Sequence, residues 1–231
     1  MKKNKVFIAC DTTNFNKINK ILLQIKNKKL DILPKFGLQF FYSKKGRKFL
    51  EKIKYDFWLD LKICDVPNTA LSAVESLKDL KRCKFLTVHA SGGLEMMKMV
   101  KKKSKIINKN IKILGVTILT SLNKNSIKDI GFTKKISDIV LKQARLVKKA
   151  GCDGIICSAK EANIIRKKFK NFYIITPGIR MPGDKINDQK RIVTPYDAFI
   201  KNKVSAIVMG RSLINGNIKK NIDKLISHLD L

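Results

Sequence analysis

Two acids and a lysine stand close together in the stretch Asp60–Asp65, which reads DLKICD. Residues 57–61 are predicted to form a strand, and side chains alternate along a strand, so Asp60 and Lys62 should share a face. Neighbouring carboxylates favour the charged form of a lysine, and such an ammonium can donate a proton. A Schiff-base lysine needs the opposite environment. The pattern therefore predicts a proton donor, although an exposed salt-bridge ladder of little energetic value would also fit it.

A second pattern, at the predicted end of the last strand, is typical of an anion site. Gly210 and Arg211 follow residues 206–209 and open the segment that leads to the last helix. Glycine allows close backbone approach, amides at a helix start bind anions, and arginine adds a bidentate clamp. The segment Thr176–Arg180 would supply the facing wall. We interpret this end as a phosphate site, the alternative being that Arg211 is an ordinary surface arginine.

Polar residues also end the other predicted strands. In chain order these strand-end residues are Asp11, Lys35, Asp60 with Lys62, His89, Thr120 with Ser121, Ser158, Thr176, and Gly210 with Arg211. Burying a charge is costly unless it is paired, so packing alone does not explain a whole ring of such residues. One of them could be a structural ion pair, but the set predicts a polar pocket.

The elements that must position these residues are eight short apolar runs. The predicted strands are Val6–Cys10, Leu30–Phe36, Phe57–Leu61, Phe85–His89, Ile113–Leu119, Gly154–Cys157, Tyr173–Thr176 and Ala206–Met209. Eight segments of helical character alternate with them. One follows the start signal Pro67-Asn68-Thr69, where Leu71, Val74, Leu77 and Leu80 recur at every third residue.

Strict alternation of strands and helices predicts a single domain of the α/β class, residues 1–231, folded as a (β/α)8 TIM barrel. In such barrels the active site forms at the carboxyl ends of the strands. A doubly wound open sheet is the alternative. It would require a glycine-rich turn after the first strand, and Cys10–Thr13 is not one.

The charge balance is strongly basic, with 50 Lys and Arg against 18 Asp and Glu and a net charge of +32. Only seven of the 50 are arginines, and the lysines lie along the whole chain. Nucleic-acid readers usually concentrate arginines and aromatics. We therefore interpret most lysines as solvated, expect no specific nucleic-acid partner, and allow for incidental, salt-sensitive binding. No run is apolar enough to span a membrane or serve as a signal peptide, so a cytoplasmic location is expected.

Six segments, in order along the chain, resemble the bacterial-type orotidine 5'-phosphate decarboxylases, which form UMP in the last step of de novo pyrimidine synthesis. They are Asp60–Thr69, Val88–Gly93, Leu119–Ser121, Gly151–Gly154 with Cys157–Ala159, Thr176–Arg180, and Asp188–Arg191. The resemblance implies a (β/α)8 barrel that forms a homodimer, acts on orotidine 5'-phosphate, and uses no cofactor or metal. Cys64 and Val66 depart from the family, whose members usually carry His and Ile there.

Roles follow from the resemblance residue by residue. Lys62 would protonate C6 of the pyrimidine as carbon dioxide leaves, while Asp60 would face the substrate carboxylate and hold Lys62. Asp65 and Thr69 would reach into the neighbouring subunit's site. The remaining substrate-binding residues would be Asp11 and Lys35 at the ribose, Thr120 and Ser121 at the pyrimidine, Gln189, Gly210, Arg211 and Arg180 at the phosphate, and Leu61, Ile63, Cys64, Val66, Pro67 and Asn68 beside the charged trio.

Two other functions would also account for parts of this pattern. Hexulose-phosphate synthases and keto-gulonate-phosphate decarboxylases share the acid–lysine–acid strand, but they need Mg²⁺ and an acidic ligand at the end of the second strand. Lys35 occupies that place here. A basic nucleic-acid-binding protein without catalysis would not need Asp60, Lys62 and Asp65 together.

Overall fold

The computed structural model describes residues 3–184 and 192–230. Eight parallel strands form a closed barrel in chain order, and the last strand pairs with the first. The strands are β1 Asn4–Ala9, β2 Leu30–Gly37, β3 Phe57–Ile63, β4 Cys83–His89, β5 Lys112–Val116, β6 Gly154–Ile156, β7 Tyr173–Thr176 and β8 Ala206–Met209. All eight predicted strands are present, and the predicted (β/α)8 barrel is confirmed.

Helices cover the outside of the barrel. They are α1 Phe15–Gln24, α2 Leu38–Phe41, α3 Gly46–Lys52, α4 Pro67–Glu75, α5 Gly93–Ile107, α6 Lys124–Asp129, α7 Ile136–Lys149, α8 Ala159–Lys168, α9 Arg211–Ile214 and α10 Ile218–His228, with a 3₁₀ turn at Ala90–Gly92 and a π-helical turn at Asp197–Lys201. Three of them, α1, α6 and α10, are preceded by an asparagine (Asn14, Asn123 and Asn217) whose side chain accepts a backbone N–H from the first turn. That is the preferred capping chemistry. Among the described residues, no helix is both long and apolar enough to cross a membrane.

The apolar core has two parts. One lies between the strands and the surrounding helices, and the other fills the inside of the barrel. Inside, the Phe7 ring meets Trp58 and Phe85 edge to face, with centroid distances of 4.7 and 5.2 Å. The Trp58 indole N–H donates to the Thr87 hydroxyl at 2.7 Å. This plug of side chains fills the barrel interior.

Strand β3 is irregular where the charged residues lie. Leu59 pairs with Leu86 on β4, but the next paired residue on β3 is Ile63, opposite Val88. Four steps along β3 therefore face two along β4, which is a bulge. Within it Lys62 has φ of 50°, a left-handed conformation that is uncommon for residues other than glycine. The bulge aims the Lys62 side chain in a direction that a regular strand would not provide.

Candidate active site

A cavity of about 600 Å³ opens at the carboxyl ends of the strands. Nine of the predicted site residues line it: Asp11, Lys35, Asp60, Lys62, Thr120, Ser121, Arg180, Gly210 and Arg211. They come from six different strand ends or the loops that follow them. The barrel topology thus brings together residues that are up to 200 positions apart in the chain.

Four of these residues form a chain of alternating charge. The Lys35 ammonium nitrogen lies 3.4 Å from Asp11 Oδ1 and 3.1 Å from Asp60 Oδ2. The Lys62 ammonium donates to the same Asp60 Oδ2 at 3.0 Å. The register of the sheet explains the contact, because Gly37 lies beside Asp60 and the Lys35 side chain therefore projects next to β3. One carboxylate oxygen thus holds two lysines at the cavity.

Burial decides how these charges behave. The side chains of Lys35 and Asp60 are only 8% and 9% exposed, whereas that of Lys62 is 36% exposed. Burial raises the pKa of Asp60, but Lys35 and Lys62 outweigh it and bring this pKa below its ordinary value. Burial likewise lowers the pKa of Lys35, but Asp60 and Asp11 bring it above its ordinary value. Both groups are therefore charged at neutral pH.

The second oxygen of Asp60 is different. Oδ1 is buried and has no hydrogen-bond partner among the residues that the structure describes. A buried carboxylate oxygen without a partner is costly, and such groups in native structures call for an explanation. A charged oxygen beside the ammonium of Lys62 can act electrostatically on a bound molecule.

The opposite wall of the cavity is suited to an anion. Arg180 is buried, and its Nη1 donates to the carbonyl of Ile179 at 2.9 Å. Two backbone hydrogen bonds with Val193 fix this segment. The Arg180 N–H donates to the Val193 carbonyl, and the Val193 N–H donates to the Gly178 carbonyl. Exposed Arg211 begins α9 across the cavity. Two guanidinium-bearing segments therefore border one cavity. Gln189, the other predicted phosphate ligand, lies outside the described residues.

The other predicted residues lie away from the cavity of their own chain. Leu61 and Ile63 pack against the core, and Pro67 opens α4. The residues exposed at this edge are Cys64, Asp65, Val66, Asn68 and Thr69. The Asp65 carboxylate accepts the N–H of Val66 at 2.7 Å. Within one chain, Asp65 does not join Asp60 and Lys62, and the second cation at Asp60 is Lys35.

Two features in or beside the cavity, at Trp58 and Gly37, were not predicted from the sequence. Trp58 lies two residues before Asp60 and therefore faces the same side of β3, where it forms part of the cavity lining. Gly37 is close to the charge chain, because a Cβ atom there would lie 2.9 Å from Asp11 Oδ1. The period of two could have identified Trp58, but the space at Gly37 is visible only in three dimensions.

The acidic residues of the cavity pair with lysines. Within residues 3–184 and 192–230, no three His, Cys, Asp or Glu side chains are grouped so that they could hold a metal ion. The two lining carboxylates instead take lysine ammonium groups as their cations.

Comparison with known proteins shows the family. The model of the Orotidine 5'-phosphate decarboxylase / HUMPS family matches residues 4–221. Orotidine 5'-phosphate decarboxylase of Buchnera aphidicola is 38% identical, over 97% of this chain and 95% of its own. That of Sphingopyxis alaskensis is 34% identical, over 90% of this chain and 91% of its own. The crystal structure of orotidine 5'-phosphate decarboxylase from Lactobacillus acidophilus superposes with a TM-score of 0.84 at 30% identity, covering 99% of this chain and 100% of that one. With the fold, the strand-end cavity and these relatives in agreement, the chain belongs to the Orotidine 5'-phosphate decarboxylase / HUMPS family.

Proposed function

We propose that this chain decarboxylates orotidine 5'-phosphate to UMP, the last step of de novo pyrimidine synthesis, with Lys62 as the proton donor. The observation that carries the proposal is the pairing of Lys62 and Asp60 at 3.0 Å on the cavity wall. Several relatives that match over most of their length bear the name of this decarboxylase.

The chemistry asks for a fixed positive charge. When carbon dioxide leaves C6, the electron pair remains in the plane of the ring, where resonance helps little. The uncatalysed barrier is therefore high, and preorganised electrostatics must supply much of its reduction. An ammonium at Lys62 would stabilise the developing charge and then give its proton to C6. Asp60 would hold that ammonium in place.

Asp60 would have a second effect through Oδ1, the oxygen without a partner. We assign it a position against the carboxylate of the substrate, where two negative charges repel. The repulsion disappears as neutral carbon dioxide forms, so it would favour the transition state over the bound substrate. Because Lys35 and Lys62 both lower the pKa of Asp60, this carboxylate would remain charged while the substrate binds.

The rest of the cavity would bind the nucleotide. We assign the phosphate to Gly210, Arg211 and Gln189, with Arg180 nearby. The ribose hydroxyls would contact Asp11 and Lys35, and Thr120 and Ser121 would meet the amide edge of the pyrimidine. Binding energy from the phosphate, which is remote from the reacting carbon, can orient the ring over Lys62.

We further propose a homodimer in the cytoplasm. Asp65 and Thr69 are exposed and do not line their own cavity, which suits residues that act in a second subunit. Val66, between them, is an exposed apolar side chain of the kind that interfaces cover.

A UMP-forming assay in the presence of EDTA tests the proposal. We expect full activity without added metal. No UMP formation, together with Mg²⁺-dependent turnover of a hexulose phosphate, would instead support a sister enzyme of the hexulose-phosphate synthase type. That alternative is disfavoured because the ammonium of Lys35 occupies the position between Asp11 and Asp60.

A further inference from the structure

The opposite end of the barrel carries a second concave surface. A depression of about 520 Å³ lies where β1, β2, β4 and β5 begin, on the far side of the side-chain plug from the active-site cavity. A smaller one of about 410 Å³ adjoins it, since Asn110 lines both. We call the two together the basal trough.

The basal trough is strongly positive. The first depression is lined by six cationic side chains, Lys5, Lys26, Lys54, Arg82, Lys84 and Lys112, and the second by four, Lys78, Lys81, Lys105 and Lys109. Only two carboxylates, Asp31 and Asp56, accompany these ten cations. Across the whole chain the ratio is 50 to 18. Positive charge is therefore concentrated in the trough beyond the general excess of lysine.

The carboxylates leave most of this charge uncompensated. Asp31 pairs with Lys5, and Asp56 lies 3.5 Å from Arg82 and 3.8 Å from Lys84. Exposed Lys26, Lys54 and Lys112 have no carboxylate within ion-pair distance among the described residues. These three cations can meet an anion without giving up a carboxylate partner.

The aromatic content of the trough indicates which part of a ligand it contacts. Phe85 lies at its base, and the ammonium groups of Lys5 and Lys112 stand 6.0 and 5.9 Å from the ring centroid. The Phe85 ring is buried and offers no face on which a base could stack, and Tyr55, the other aromatic residue of the lining, packs against the core. A lysine ammonium acts on phosphate as a point charge.

From these observations we propose that the basal trough binds single-stranded nucleic acid through its phosphates, without reading sequence. Successive negative charges along one strand suit the ten cations that line the two adjoining depressions. The site lies at the barrel end opposite the active-site cavity, so it is independent of the function proposed above.

The test compares two charge-matched variants of the full chain. The trough variant combines Lys26→Gln, Lys54→Gln and Lys112→Gln. The control combines Lys219→Gln, Lys220→Gln and Lys224→Gln, three exposed lysines of α10 outside the trough. Both lose the same charge. The probe is a labelled oligodeoxyadenylate of about 20 nucleotides without a terminal phosphate, longer than typical single-strand site sizes. Its fluorescence anisotropy is followed from about 50 to 200 mM KCl.

We expect the trough variant to bind about tenfold more weakly than the control at low salt. Its plot of log K against log salt should also be shallower by about 2, since each lost phosphate contact on a single strand contributes about 0.7. Equal weakening of both variants, or of neither, would overturn the proposal. Asp31→Asn provides a test of opposite sign, since removing a trough carboxylate should tighten binding. Unchanged or weaker binding by Asp31→Asn would also count against it.

Discussion

Replacing Lys35 with methionine tests whether the charge chain holds the site together. Lys35 lies between Asp11 and Asp60 and is almost fully buried. Methionine keeps much of the length and the apolar stem but removes the charge. Removing one partner of a buried ion pair costs about 3–5 kcal/mol when the other charge is left uncompensated. Asp60 retains Lys62 at 3.0 Å, so we expect a smaller loss of unfolding free energy, about 2 kcal/mol.

The pH dependence of this loss follows from the two pKa shifts. The folded pKa of Asp60 is lowered, so its contribution is present above the unfolded value of about 4 and is lost as pH falls through the folded pKa. The folded pKa of Lys35 is raised, so its contribution is present below about 10.4 and is lost as pH rises through the folded pKa. The difference between wild type and Lys35→Met should therefore be largest near neutral pH and shrink below about pH 4.

Urea denaturation at several pH values measures this difference. Lys5→Met is the matched control, because Lys5 pairs with Asp31 at the other end of the barrel and both side chains are partly exposed. We expect at most about 1 kcal/mol from the control. Equal losses in the two variants, or a Lys35→Met protein as stable as wild type at pH 7, would refute the argument from burial.

Three further experiments test other parts of the proposed mechanism. Arg211→Ala should lower kcat/KM for orotidine 5'-phosphate by a factor equivalent to about 3 kcal/mol, because a charge-assisted phosphate contact is lost. The slow reaction of orotidine should barely change. Equal losses with both substrates would show that Arg211 is structural. Inactive Lys62→Ala and Asp65→Asn homodimers, mixed and exchanged, should regain about a quarter of wild-type sites, because both lesions of a heterodimer fall in one site. No recovery after exchange confirmed by mass spectrometry would contradict the cross-subunit role of Asp65. Gly37→Ala places a Cβ 2.9 Å from Asp11 Oδ1. We expect KM to rise about tenfold, because the methyl group would displace this carboxylate from Lys35. A KM equal to that of wild type would show that the distance between Asp11 and Lys35 is unimportant for substrate binding.

The fold was predictable because its signals are local. Apolar runs and helical periods identified all eight strands and their alternation with helices. The prediction that residues 71–80 belong to one helical segment is wrong beyond Glu75, where helix α4 ends. Leu77 and Leu80 lie in turns beyond it, where their N–H groups donate to the carbonyls three residues earlier, Val74 and Leu77. Their spacing of three reflects these tight turns and not an α-helical face.

The candidate site was predictable in membership but not in geometry. Strand ends identify Asp11, Lys35 and Asp60, since a parallel barrel must gather them at one end. The sequence does not reveal that Lys35 and Lys62 share Asp60, because that depends on the register between β2 and β3. Nor does it reveal the left-handed backbone of Lys62, because the bulge exists only relative to β4. Such contacts depend on pairing between distant segments, which side-chain alternation within one strand does not encode.

Lys62→Ala provides the most direct test of Lys62 as the proton donor. Single-turnover release of carbon dioxide from orotidine 5'-phosphate should fall by at least about 10⁴-fold, while calorimetry should show UMP binding within about tenfold of wild type. Lys203→Ala is the matched control, since exposed Lys203 also has a left-handed backbone, with φ of 51° against 50° for Lys62, and lies outside the cavity lining. The control should retain full activity. A Lys62→Ala rate within about tenfold of wild type would contradict the assignment of Lys62 as proton donor.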